Sequence, residues 1–293
     1  MSSFFRLRNE TNSSCPDLTG KNYRASFHTR SSAKGVRKKI YRAHLEGDGP
    51  RKGEHAVVKV FRHAKGTESM CDEEIFKHII ARRLSRKFNK LVNDTSDKIT
   101  FTLPLKSTVE KVGVGSYLLH RSRTLDKEEW VLIEENLAEY EEYKAFLRKN
   151  GEKARKDPSS LDAFLHFTYH ESGQKFVLCG FQGIHTEEQG YKLTTPCIHS
   201  VEKKYGLTDK GASGIKSVFA KHKCNNLCWN WPTPGDEIED DKTCSNGEVA
   251  DTNGEEADIN DSSSDEKFDS VPIGGLAIHT TDNDSSVEDI LSS

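Results

Sequence analysis

The sequence predicts an α+β fold that closes on a metal-gripping carboxy-terminal end, and three observations carry that reading. Residues 40–45 and 56–61 alternate apolar and polar positions as strands do. Residues 72–89 repeat their apolar side chains, Ile75, Ile79, Ile80, Leu84 and Phe88, at helical spacing. Finally, Ile215, Val218, Phe219 and His222 share one helical face, with Cys224 and Cys228 following where the helix would break into a turn.

Taken in order, residues 1–30 are polar and irregular and read as a loose arm. The two strands are joined by the turn-rich Gly47-Asp48-Gly49-Pro50-Arg51-Lys52-Gly53, so a hairpin is expected. After the amphipathic helix, strands are expected at 99–103, 116–119 and 130–133. Gly113-Val114-Gly115 reads as a hairpin turn rather than a phosphate loop. An acidic helix is expected over 137–149, a helix over 161–169, a strand over 175–179, and a loop-rich stretch over 180–210.

The charge is divided unevenly. From Asp236 to Ser293 there are 18 acidic residues against Lys242 and Lys267. This Ser-, Asn- and Gly-rich segment is too poor in apolar surface to offset its ordering entropy and is expected to be a disordered acidic tail. It leaves 41 basic residues against 28 acidic ones before Asp236, a net +13 that attracts phosphates, acidic partners or the chain's own tail. A solvated surface with a merely solubilising tail is the alternative. No apolar leader follows Met1 and no run approaches the ~18 apolar residues of a membrane span, so a cytoplasmic protein without a membrane partner is expected. The seven cysteines, odd in number, speak for reduced thiols or metal ligands. With no finger-type ligand spacing and no interleaved basic and aromatic residues, nucleic acid is not an expected partner.

Two sites carry chemistry. His222-x-Cys224-x3-Cys228 supplies three of the four ligands zinc needs, so a fourth must come from elsewhere in the fold; the other reading is two buried free cysteines beside a surface histidine. Lys59 lies in an apolar strand, where an unpaired ammonium is costly, and Glu74 on the following helix is its expected partner. An edge-strand lysine facing solvent is the alternative.

Several pieces together resemble the alpha-kinase family, the atypical protein kinases that include myosin heavy-chain kinases, elongation-factor-2 kinase and channel-kinase domains. They run from Lys34 to Trp231: Gly35-Val36-Arg37, Ala56-Val57-Val58-Lys59, Leu84-Ser85-Arg86-Lys87-Phe88-Asn89, Ile133-Glu134, His166-Phe167-Thr168-Tyr169, Gln182-Gly183, Leu193-Thr194-Thr195-Pro196-Cys197-Ile198-His199-Ser200, Gly206-Leu207-Thr208-Asp209-Lys210-Gly211, and the His-x-Cys-x3-Cys run. The resemblance implies a two-lobed kinase-like domain over 31–235, between the arm and the tail. It implies ATP, with Lys59 on the α and β phosphates, Arg37 assisting, Glu134 at the hinge and Gln182 near metal or nucleotide. It also implies structural zinc on His166, His222, Cys224 and Cys228. His199 holds no ligand position in the family and reads as a satisfied surface or loop histidine.

The chain departs from the family where the chemistry is done. The aspartate that binds magnesium is replaced by Gly180, and the aspartate that assists the attacking hydroxyl by Thr195. Loss of a general base costs ~10²- to 10⁴-fold in rate. About five residues more than short family members carry lie between Gln182 and Thr195, and they would bring His185, Glu187 and Glu188 near the site, the two glutamates as substitute acids. Two functions follow from the resemblance: a serine/threonine protein kinase that transfers weakly from ATP and Mg²⁺, or a zinc-stabilised pseudokinase that binds nucleotide or partners.

Overall fold

Strand parity decides which side chains of this chain face its core and which face its chemistry. The computed structural model describes residues 8–113, 123–154 and 159–235. The expected strand at 116–119, the second and third residues of the Gly113-Val114-Gly115 turn, and the acidic segment 236–293 lie outside them.

Seven strands, β1 (Arg8–Thr11), β2 (Tyr23–His28), β3 (Ala33–Lys34), β4 (Lys38–Gly47), β5 (His55–Phe61), β7 (Leu105–Lys111) and β8 (Trp130–Glu135), form an antiparallel sheet in the order β2-β1-β7-β8-β5-β4-β3. β2 also pairs with β4, with Tyr23 opposite Gly47 and Phe27 opposite Ala43, so the sheet closes on itself. Inside lie Tyr23, Phe27, Tyr41, Leu45, Val58, Val60, Leu105, Val109, Val131 and Ile133. Burying a large apolar side chain there is worth ~1.5–3 kcal/mol. The expected loose arm is therefore corrected: within residues 1–30, β1 and β2 complete the closure. Their polar residues, such as Arg24 and His28, face outward, and only pairing with β4 and β7 makes strands of them.

The 40–45 and 56–61 hairpin forms as expected from β4 and β5. Because Val58 and Val60 point inward, Lys59 points outward, and by the same alternation Leu132 and Glu134 leave the core next to Ile133. That outer face is covered by α1 (Glu68–Phe88), with Cys71, Met70 and Ile75 packing on Phe61 and Leu132. The helix starts on Thr67, whose side chain accepts from Met70 N–H, and ends with Arg86 and Lys87 on its negative pole. Its buried residues are Cys71, Glu74, Lys77, His78, Ile80, Ala81, Leu84, Ser85 and Phe88, so polar groups share the face that the apolar spacing predicts.

The remainder holds a four-stranded sheet, β6 (Ile99–Phe101), β12 (Gly190–Leu193), β11 (Gln182–Thr186) and β9 (Lys144–Ala145), in that order. It also holds the antiparallel pair β10 (Phe176–Cys179) and β13 (Cys197–Ser200), with α2 (Ser159–Glu171) and α3 (Gly211–Phe219). Two expectations are corrected here. The stretch 180–210 contains three strands rather than mainly loop. Residues 137–149 form one 3-10 turn and β9 rather than a helix, because the amides of Phe146 and Leu147 bond to Phe181 O instead of to carbonyls one turn back. Gly183 lets β11 and β12 approach: a Cβ there would lie 2.1 Å from Lys192 O. No helix among the described residues is long and apolar enough to cross a membrane.

Candidate functional site

Lys59 and Glu134 are diagonal neighbours across the β5–β8 pair, since Lys59 stands opposite Leu132 and Glu134 lies two residues further on the same face. Lys59 Nζ lies 2.7 Å from Glu134 Oε2, and Glu134 is fully buried. Burial alone would pull the Lys59 ammonium down and push the Glu134 carboxyl up. Their mutual attraction reverses both, so Lys59 is raised and Glu134 lowered. The expected Lys59–Glu74 pair is corrected: Glu74, one helix face away, is taken by Lys38 at 2.5 Å and Lys77 at 2.8 Å, with Arg37 at 3.6 Å. Burial works against that carboxylate, but Lys38 and Lys77 hold it well below the usual carboxylate range. Arg37 therefore belongs to the Glu74 cluster.

One turn along α1 from Glu74 stands His78, which sequence reasoning missed. It is fully buried, with Nδ1 2.7 Å from Thr102 O, Nε2 2.7 Å from Thr195 Oγ1 and Glu134 Oε1 at 4.0 Å. A carbonyl only accepts, so Nδ1 carries the proton and Nε2 accepts from the Thr195 hydroxyl. Burial drops the imidazole to about 4 despite the Glu134 carboxylate beside it, which keeps it neutral near pH 7. The signal available in the sequence was a histidine four residues after Glu74, inside the buried stripe. Two polar pairs thus lie side by side, Lys59 with Glu134 and His78 with Thr195, 4.0 Å apart between Glu134 Oε1 and His78 Nε2.

Around Thr195 the remaining predicted residues fall unevenly. Gly180 lies against Cys197, two residues beyond Thr195, in a left-handed conformation with φ +68°, and a Cβ there would meet Lys149 Cγ at 3.2 Å and Cys197 Cβ at 3.3 Å. The Gln182 side chain is exposed, while its carbonyl accepts from Thr194 N at 2.9 Å. Tyr143 OH meets Thr194 Oγ1 at 2.8 Å. Glu187 and Glu188 are not brought near. They sit at the exposed tip of the β11–β12 hairpin, past the Thr186–Gly190 pair, whereas Gln182 and Thr195 lie at its other end, ~13 Å away along the strand. His185 is likewise turned away, onto Ser96 O at 3.0 Å. The residues between Gln182 and Thr195 form a hairpin and place no substitute acid beside Thr195. Positions 180 and 195 carry no carboxylate, and Glu74 and Glu134 are both paired with lysines.

The second cluster joins α2 to the chain beyond α3. His166 Nδ1 lies 3.2 Å from His222 Nε2 and 3.6 Å from Cys224 Sγ, and Cys228 Sγ lies 3.7 Å from His222 Nε2. All four ligand atoms fall within 4.8 Å of one another. A tetrahedral ion with Zn–N ~2.0–2.1 Å and Zn–S ~2.3 Å requires ligand separations of about 3.3–3.8 Å, which these resemble. His166 Nε2 donates to Pro232 O at 3.0 Å and so leaves Nδ1 free to ligate, while His222 Nδ1 faces Asp162 at 3.9 Å, the outer partner such a ligand uses. His199 is a satisfied histidine as expected, but a buried one in β13. Its Nδ1 accepts from Lys210 N–H at 3.1 Å and its Nε2 donates to Lys149 O at 2.9 Å, so both nitrogens are spent although Cys179 and Cys197 lie close by.

The Alpha-kinase family model matches residues 33–228. Alpha-protein kinase vwkA of Dictyostelium discoideum is 30% identical over 183 residues, which are 60% of this chain and 27% of that protein, so the chain spans about a quarter of this relative. Among solved structures, an alpha kinase from Entamoeba histolytica superposes with a TM-score of 0.61 at 20% identity, covering 80% of this chain and 94% of that one. The alpha-kinase domain of myosin heavy chain kinase A in complex with AMP gives 0.59 at 19% identity, covering 76% and 97%. At those identities the likeness speaks for the fold.

Proposed function

The chain belongs to the alpha-kinase family, and on that premise we propose that it is an ATP-binding protein serine/threonine kinase domain whose phosphoryl transfer is weakened by the exchange of two aspartates for Gly180 and Thr195. The observation that supports this reading is the Lys59–Glu134 pair, which holds the strand lysine charged beside the His78–Thr195 pair. A lysine fixed by a buried carboxylate supplies a point charge for nucleotide phosphates without side-chain reorganisation. Nucleotide complexes of myosin heavy chain kinase A with AMP and AMP-PNP support a nucleotide as ligand. With no carboxylates at positions 180 and 195, the reading assigns no step to a metal held by this chain.

The test is transfer of labelled γ-phosphate from ATP to a basic serine/threonine peptide, with nucleotide binding measured in parallel and Lys59→Ala as control. Slow transfer that vanishes with Lys59 is expected.

A second reading, a pseudokinase that binds nucleotide or partners without transfer, is favoured by Gly180, whose left-handed backbone disfavours any side chain at the position of the missing magnesium aspartate. Binding without any transfer would select it.

The reading includes structural zinc on His166, His222, Cys224 and Cys228, where a bound ion would crosslink α2 to the chain after α3. It takes residues 31–235 as the kinase domain of a cytoplasmic protein and 236–293 as an acidic tail that contacts the basic domain. Deletion of 236–293 would then strengthen binding to an acidic partner at low salt; unchanged affinity would remove the masking role.

A further inference from the structure

The geometry points to Thr195 as the residue that takes the proton of the acceptor hydroxyl, with His78 behind it as the proton's destination, a hydroxyl–imidazole relay standing where the family has an aspartate. This rests on the transferase reading above and names the base it otherwise lacks.

Three features carry it. The orientation is settled by partners rather than by choice of tautomer, because the Thr102 carbonyl fixes the proton on Nδ1 and turns the Nε2 lone pair onto Thr195 Oγ1 at 2.7 Å. Thr195 is half-buried while His78 is fully buried, so of the two only Thr195 stands at the open side of the pair. The arrangement is that of an activated hydroxyl, in which a histidine held by a third group accepts the hydroxyl's proton.

The acceptor oxygen bonds to the γ-phosphorus as the bond from that phosphorus to the β–γ bridging oxygen breaks, and ADP leaves with the electron pair. The acceptor proton passes to Thr195 Oγ1, whose own proton passes to His78 Nε2. The resulting imidazolium faces Glu134 Oε1 of β8 at 4.0 Å, and the proton later returns through Thr195 to water. The charged groups around His78 are Glu134 and Lys59 from the sheet and Glu74 from α1, while Thr102, just past β6, offers its carbonyl and Arg82, one turn on along α1, is bonded to Phe101 O. Burial lowers the imidazole to about 4, so the base behind Thr195 has the strength of an ordinary aspartate.

Thr195 touches the acceptor and is the catalytic residue of this relay; His78 acts through it as a positioning residue. The experiment is steady-state transfer of labelled γ-phosphate by wild type, Thr195→Val, Thr195→Ser and His78→Gln, with KM for ATP, pH profiles and circular dichroism on each. The relay predicts a loss of ~10²- to 10⁴-fold in kcat for Thr195→Val and His78→Gln with KM for ATP within about twofold. It predicts retention of most activity by Thr195→Ser, and an acidic limb in kcat present in wild type and absent in His78→Gln. Should His78→Gln fail to fold, Thr195→Val against Thr195→Ser decides alone. Wild-type transfer that survives Thr195→Val overturns the relay and leaves the kinase reading standing. Nucleotide binding with no wild-type transfer overturns both.

Discussion

Lys59 and Glu134 meet at 2.7 Å on the outer face of the closed sheet, one residue from side chains that fill its interior, Glu134 fully buried and Lys59 mostly so. The carboxylate has no water to fall back on and the ammonium little, which makes the pair costly to break and informative to mutate. Glu134→Ala leaves a largely buried ammonium without its partner and is expected to cost up to ~3–5 kcal/mol, while Lys59→Met combined with Glu134→Leu recovers most of it. Urea denaturation of the two singles and the double completes the cycle; additive losses would show that the two charges do not act as a pair.

Acid should loosen this region. His78, Glu134 and Glu74 all have folded pKa values below their ordinary ones, so the unfolded chain binds more protons at each. Stability is then present at neutral pH and lost as pH falls, first between about 6.5 and 4 through His78 and then below about 4.5 through the two glutamates. Melting temperatures across pH 4–7.5 should decline toward acid, with the upper part of that decline flattened in His78→Gln. An equal decline in the variant would place the effect elsewhere.

The His166, His222, Cys224 and Cys228 cluster predicts a metal-dependent fold. Cys228→Ser should release about one equivalent of zinc and lower the melting temperature by at least several degrees, as should a strong chelator on the wild-type chain. Elemental analysis beside thermal denaturation reads both; a variant that keeps its metal content would remove Cys228 from the ligand set.

Gly180 is expected to resist restoration. Its φ of +68° and the contacts at 3.2 and 3.3 Å penalise any Cβ, so Gly180→Asp should cost ~1–3 kcal/mol rather than stabilise. The urea midpoint checks this, and a neutral result would mean that the local backbone relaxes readily.

Residue pattern alone determined the elements whose cause is local. The β4–β5 hairpin, α1, α2, and the His-x-Cys-x3-Cys run after α3 were legible because apolar period and ligand spacing are properties of neighbouring residues, and the family resemblance rested on those same stretches. β1 and β2 were not legible: they are too polar to announce themselves, and only pairing with β4 and β7 satisfies their backbone. The tertiary structure alone decided which charges meet. Lys59 takes Glu134 instead of Glu74 because the diagonal of an antiparallel register outranks nearness in sequence. His78 and Thr195, 117 positions apart, meet only because α1 lies across the segment between β12 and β13. Glu187 and Glu188, close to Thr195 along the chain, are carried off by a hairpin whose length sequence spacing could not convey. Secondary structure follows from short-range periodicity, whereas a polar site is set by the register and packing of distant segments, and that is why the site was the part the sequence read least well.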